Sequence, residues 1–107
     1  MDNPDKALNY IIEQAPKYAK AKANRKHLEE YRKTLKARLY QECTQGTIAD
    51  KESYAYAHAD YEKLLLGIKA AVEIEEELLW RMRAAEHKVE CWRTEQANNR
   101  YIQGVTT

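Results

Sequence analysis

The chain has 107 residues, enough for one domain, and a formal net charge of +1, which argues against a bulk polyanion binder. A globule this small buries only about two-thirds of its chain surface, so its core is thin and self-association is an expected source of stability. Eight Tyr and two Trp with no Phe suit half-exposed positions, where a ring packs and its polar end stays wet. No apolar run approaches the roughly 20 residues needed to cross a bilayer, and the first apolar group (Leu8, Ile11, Ile12) is too short and broken for a signal sequence. With two cysteines, Cys43 and Cys91, the expectation is a soluble, cytoplasmic protein with reduced thiols.

The chain is expected to form a single all-α domain over residues 1–107. Met1 to Asn3 is expected to fray. Asn3 suits a helix N-cap with Pro4 at the first helical position, opening a short helix over 4–15 with Leu8, Ile11, Ile12 and Ala15 on one face. Proline removes a hydrogen bond and clashes with the preceding turn, so a kink or break is predicted at Gln14–Pro16. A second helix is predicted over 17–44, its inner face Ala21, Leu28, Tyr31, Leu35 and Leu39. Gly46 is a natural stop, free to take a positive φ. Thr47 and Asp50 read as a capping box that opens a short helix or turn over 47–58. The alternation Tyr54-Ala-Tyr-Ala-His58 also resembles a strand, but alanine is a poor strand former and no partner strand is present.

The dominant element is a long helix over 60–102, capped by Asp60. From Tyr61 to Arg100 it has no proline and a single glycine, Gly67. Leu64, Ile68, Ala71, Leu78, Met82, Ala85, Val89 and Trp92 recur every three or four positions along it. A short connection makes it an antiparallel neighbour of the second helix. The predicted architecture is a long, coiled-coil-like helical hairpin with a short N-terminal helix, assembled as a homo-oligomer. Placing Leu35 opposite Ala71 and Leu28 opposite Leu78 puts Arg32 across from Glu75. Glu75 stands at an inner position, so it is either a solvated flank residue or half of an Arg32–Glu75 pair that fixes register.

The long helix carries more apolar surface than one partner covers. Leu65, Val72 and Leu79 flank the main stripe, and Trp80, Ala84, His87 and Cys91 form a second line. These residues are the expected oligomer or partner interface, because such surplus apolar area rarely stays exposed.

Charge is unevenly placed: residues 1–46 carry ten basic and six acidic side chains, residues 47–90 six basic and ten acidic. Lys22, Arg25, Lys26, Lys33 and Lys36 project from one flank of the second helix over about 20 Å, a spacing that matches several phosphates of a nucleic acid. The competing reading is a solvated face laced with pairs such as Lys26–Glu30 and Glu29–Lys33. Arg93, Asn98, Asn99 and Arg100 near the end of the chain read as a solvated helix end, with phosphate or base contact the alternative.

His87 and Cys91 stand at metal-ligand spacing, but no third ligand is near them in sequence, so packing is the expected role and no metal or other cofactor is expected. The Glu73–Glu77 run reads as a solvated face. There is no phosphate-cradling glycine loop, nucleophile elbow or zincin motif, so neither an enzyme nor a small-molecule substrate is expected.

Three stretches carry a resemblance: Ala7-Leu-Asn-Tyr-Ile-Ile-Glu-Gln-Ala-Pro16; Glu52-Ser-Tyr-Ala-Tyr-Ala-His58 with Asp60-Tyr-Glu-Lys-Leu-Leu65; and Val89-Glu-Cys-Trp-Arg-Thr-Glu-Gln-Ala-Asn-Asn-Arg100. With them the chain resembles a group of short helical proteins of tailed bacteriophages and prophages, often encoded beside recombination or single-strand annealing genes. Where relatives tend to have His-Pro, this chain has His58-Ala59, which specifies the turn less sharply. The resemblance transfers no functional residues. It implies a setting, phage DNA metabolism in a bacterial host, and nothing more specific. Together with the one-sided basic flank, that setting gives the leading expectation, a non-enzymatic accessory protein that binds DNA or a DNA-processing partner. The alternatives are an adaptor or inhibitor of a host protein and a purely structural helical scaffold.

Overall fold

The structure, a computed structural model, describes residues 3–106 and the side chains of residues 3–105. It is all-α, as expected. Three helices follow one another, α1 (Asp5–Glu42), α2 (Ile48–Ala57) and α3 (Ala59–Thr106), and no strand occurs among the described residues. They contribute to two compact units, residues 20–75 and residues 1–19 with 76–107. The expected fraying at Met1 and Asp2 lies outside the described residues.

Each helix begins where local chemistry supplies partners for unpaired N–H groups. The Asn3 side-chain oxygen accepts from the Asp5 N–H at 2.9 Å, and the Pro4 carbonyl accepts from the Leu8 N–H. At α2 the capping box forms as predicted. Asp50 N–H donates to the Thr47 hydroxyl at 3.2 Å, and Thr47 N–H donates to the Asp50 carboxylate at 2.9 Å. Gly46 enters this cap at φ 101°. A Cβ there would meet the Asp50 side chain at 2.8 Å, so both conformation and space call for glycine.

The opening of α3 differs from expectation. His58, not Asp60, is the cap. Its N–H closes α2 on the Ala55 carbonyl, its own carbonyl accepts from Tyr61 and Glu62, and its Nδ1 accepts from the Asp60 N–H at 3.0 Å. An extended His58 (φ −67°, ψ 139°) ends one helix and starts the next with no intervening loop. Asp60 and Glu62 then occupy the first turn, where negative charge favours the helix dipole.

Of the kink or break predicted at Gln14–Pro16, the break does not occur: α1 runs as one helix of 38 residues with Pro16 inside it. Proline deprives the Ile12 carbonyl of its donor, but Ile12 and Pro16 are both exposed, so water can satisfy that carbonyl. At the other end, α3 continues past 102 to Thr106.

In the 20–75 unit, α1 and α3 run antiparallel, with α2 at the closed end of the hairpin. The core there is Leu39, 1% exposed, with Ala55 of α2, Tyr61 of α3 and the half-buried Leu35. Ala71 and Glu75 are buried further along α3. The register differs from the predicted one. Glu75 pairs with Arg25, not Arg32: Arg25 Nε and Nη2 donate to its two carboxylate oxygens at 2.6 and 2.9 Å. The slip from Arg32 to Arg25 is one heptad, two turns that return nearly to the same face, so the apolar pattern alone does not distinguish the two registers. Burial of Tyr61 against Leu39 sets the observed one.

In the other unit, Ala85 of α3 is buried. The start of α1, from Asn3 to Tyr10, lies beside Arg81 to Lys88 of α3 around an open groove of about 650 Å³ with Ala7, Ala84 and Ala85 in its wall.

Candidate functional site

The predicted basic flank divides into three parts. Arg25 turns inward, 21% exposed, and is bound to Glu75 and, through Nη1 at 3.0 Å, to Glu29. Its hydrogen bonds hold the Glu75 carboxyl below the usual carboxylate range, against the upward push of burial, with the fields of Lys22 and Lys26 adding to the downward side. The same two carboxylates raise the Arg25 guanidinium further. Arg25 is therefore a structural cation and a poor candidate for contact with an outside ligand.

Lys22 and Lys26 form the second part. Lys26 is exposed, Lys22 half-buried, and no hydrogen bond or ion pair engages either. Both lie close enough to Glu75 for their charge to be felt there.

The third part is a groove of about 360 Å³ where Arg32, Lys33 and Lys36 of α1 meet Tyr56 of α2 and Tyr61 of α3. Lys36 Nζ donates to the Tyr56 hydroxyl at 2.5 Å and lies 4.4 Å from the ring centroid. That hydrogen bond raises the Lys36 ammonium above its ordinary range. Tyr56 meets Tyr61 edge to face, centroids 5.4 Å apart and planes at 89°, so a buried ring holds an exposed one. Lys33 pairs loosely with Glu30 at 3.6 Å, both 75% exposed, and Arg32 is exposed with no hydrogen bond or ion pair.

Of the five groove residues, Lys33 and Lys36 belong to the expected basic flank, Arg32 stands in the expected inner pair with Glu75, and Tyr56 and Tyr61 carry no expected binding role.

The predicted interface residues are largely uncovered. In the 20–75 unit, Leu65 is 42% and Val72 37% exposed, with Leu66 and Ile74 exposed beside them. In the other unit Trp80 is 59% exposed. Its indole N–H donates to Glu76 at 3.0 Å, and the Arg83 guanidinium lies 4.8 Å from its centroid. Ala84 and His87 are exposed, Leu79 and Cys91 half-buried. His87 Nε2 and Cys91 Sγ are 3.6 Å apart, and no group of three or more His, Cys, Asp or Glu capable of holding a metal occurs among the described residues. Both cysteines are free. Arg93 pairs with Glu90 at 3.2 Å, and Arg100 donates to the Gln96 carbonyl at 3.4 Å.

No described helix is long and apolar enough to cross a membrane. The class defined by these features is an all-α helical hairpin whose charged and apolar side chains are displayed on open faces. No protein-family model matches the chain, and no curated protein or solved structure matches it.

Proposed function

We propose that the chain is a non-enzymatic accessory protein that self-associates through α3 and presents the basic flank of α1 to nucleic acid. The observation that carries the proposal is the set of cations left available on α1: Lys22, Lys26, Arg32 and Lys33 remain accessible after the fold has used Arg25 internally. Cations in such a row meet successive phosphates and release condensed counterions, which gives binding that weakens steeply with salt. The resemblance to phage and prophage proteins supports DNA recombination or replication in the bacterial cytoplasm as the setting.

The apolar side chains left exposed on α3 support self-association: in the 20–75 unit Leu65, Leu66, Val72 and Ile74 lie open to solvent, surface of a kind that rarely stays uncovered in a monomer. In a symmetric oligomer the basic flank repeats, so individually weak contacts add.

Fluorescence anisotropy with labelled single- and double-stranded oligonucleotides at low salt tests the proposal. Binding that Lys22→Glu with Lys26→Glu weakens, and that added salt abolishes, is the expected result. Failure of the purified assembly to bind either form would remove it. A second reading, an adaptor for a host protein, draws on the exposed Trp80, whose indole N–H is bound to the acidic Glu76. A stoichiometric host partner lost on Trp80→Ala, with assembly size unchanged, would favour that reading.

A further inference from the structure

We infer that the groove between Arg32, Lys33, Lys36, Tyr56 and Tyr61 is a subsite for one nucleotide of single-stranded nucleic acid. The inference rests on the nucleic-acid reading above and names the strand form and the residues that would select it. All three helices contribute to the groove, so the hairpin's closed end assembles it.

Its cations are set for a phosphate. Arg32 has all five guanidinium donors free, in a planar fork that matches phosphate oxygens. Lys33 is held only by a loose, fully solvated pair with Glu30, which a phosphate displaces at little cost. Lys36 spends one of its three donors on the Tyr56 hydroxyl and keeps two. Among nearby carboxylates, Glu30 pairs with Lys33, Glu52 acts on Lys36 through its field, and Glu29 of the same helix is held by Arg25.

The aromatic part selects strand form. Tyr56 is 52% exposed yet held by the buried Tyr61 and by Lys36. A pre-positioned ring half open to solvent beside three cations offers a stacking surface next to a phosphate seat. A base reaches a tyrosine face only when it is not already stacked in a duplex, and stacking of this kind tolerates any base. The pairing of a free Arg fork with a supported, exposed Tyr therefore points to unpaired strand, with little sequence preference.

The test compares labelled oligothymidylate with a duplex of equal length, using the full chain at low salt. Wild type is expected to favour the single strand. Tyr56→Leu should weaken single-strand binding about tenfold and leave duplex binding unchanged, while Tyr56→Phe, which keeps the ring, should retain it. Arg32→Ala should lower the dependence of single-strand binding on salt by about one phosphate contact. Its exposed position keeps the test decisive if Tyr56→Leu unfolds. Inorganic polyphosphate, which offers phosphates without bases, should compete poorly and equally against wild type and Tyr56→Leu. The inference is overturned if the duplex binds better, if Tyr56→Leu or Arg32→Ala binds the single strand as wild type does, or if polyphosphate displaces it as well as unlabelled strand. Loss of binding in the Lys22→Glu, Lys26→Glu variant with no effect of Tyr56→Leu overturns this inference alone. No binding of either strand form overturns the underlying function as well.

Discussion

Leu39 is where the three helices meet, and replacing it with alanine should cost more than any other single truncation of an aliphatic side chain in the 20–75 unit. It is 1% exposed, with Ala55 completely buried beside it and Tyr61 of α3 packed on the same cluster. Leu39→Ala removes three buried carbons, worth about 2.4 kcal/mol at about 0.8 kcal/mol each. The hole left behind adds to this, because α1, α2 and α3 all line it and cannot all move in. The half-buried Leu35 can relax, which keeps the added cost small, for a total of about 3 kcal/mol. That is a large part of the 5–15 kcal/mol or so that hold a domain of this size together. It corresponds to a fall in Tm of about 12–15 °C. Urea and thermal unfolding followed by circular dichroism, at one fixed protein concentration, measure it. Ile48→Ala, at a position 69% exposed, is the control and should stay within about 0.5 kcal/mol of wild type. A Leu39→Ala protein as stable as that control would refute the placement of the core.

Gly46 and Gly67 should respond oppositely to alanine. Gly46→Ala forces a Cβ into the positive-φ region and against Asp50, and should lower stability by about 1–3 kcal/mol. Gly67→Ala adds a Cβ to open space within α3 and should raise stability by about 0.5–1 kcal/mol; melting both variants beside wild type checks the signs. The Arg25–Glu75 pair should make stability depend on acid pH. Because folding depresses the Glu75 pKa, its contribution is present above the unfolded carboxylate value, about 4.3, and is lost as pH falls through the folded value. The difference in urea midpoint between wild type and Glu75→Gln should therefore shrink from neutral pH towards pH 3, and a constant difference would refute the assignment. Arg25→Met should also destabilise more than Glu75→Leu: the first strands a buried carboxylate, while the second leaves a half-exposed guanidinium still bonded to Glu29.

Helix content, the Asn3 cap, the Thr47–Asp50 capping box and the positive φ at Gly46 were legible because each is local: a few neighbouring residues decide it. The passage of α1 through Pro16 was not, since it depends on whether the Ile12 carbonyl is left in solvent. The register was missed for a related reason. A slip of one heptad preserves the apolar face, and only the tertiary contact of Leu39 with Tyr61 separates the alternatives. That slip also decided the site. It took Arg25 out of the candidate flank and left Arg32 free beside Tyr56. The surplus apolar surface of α3 was legible, because Leu65, Val72 and Trp80 fall outside the stripe that faces α1, and the fold leaves them exposed.

The proposed self-association requires a second molecule to cover that surface of α3. Light scattering on the size-separated protein measures this directly. The expected mass is a multiple of 12.5 kDa that falls to the single-chain value when Leu65 and Val72 are replaced by glutamate. A wild-type chain that elutes at the single-chain mass, melts cooperatively and binds nothing would contradict it.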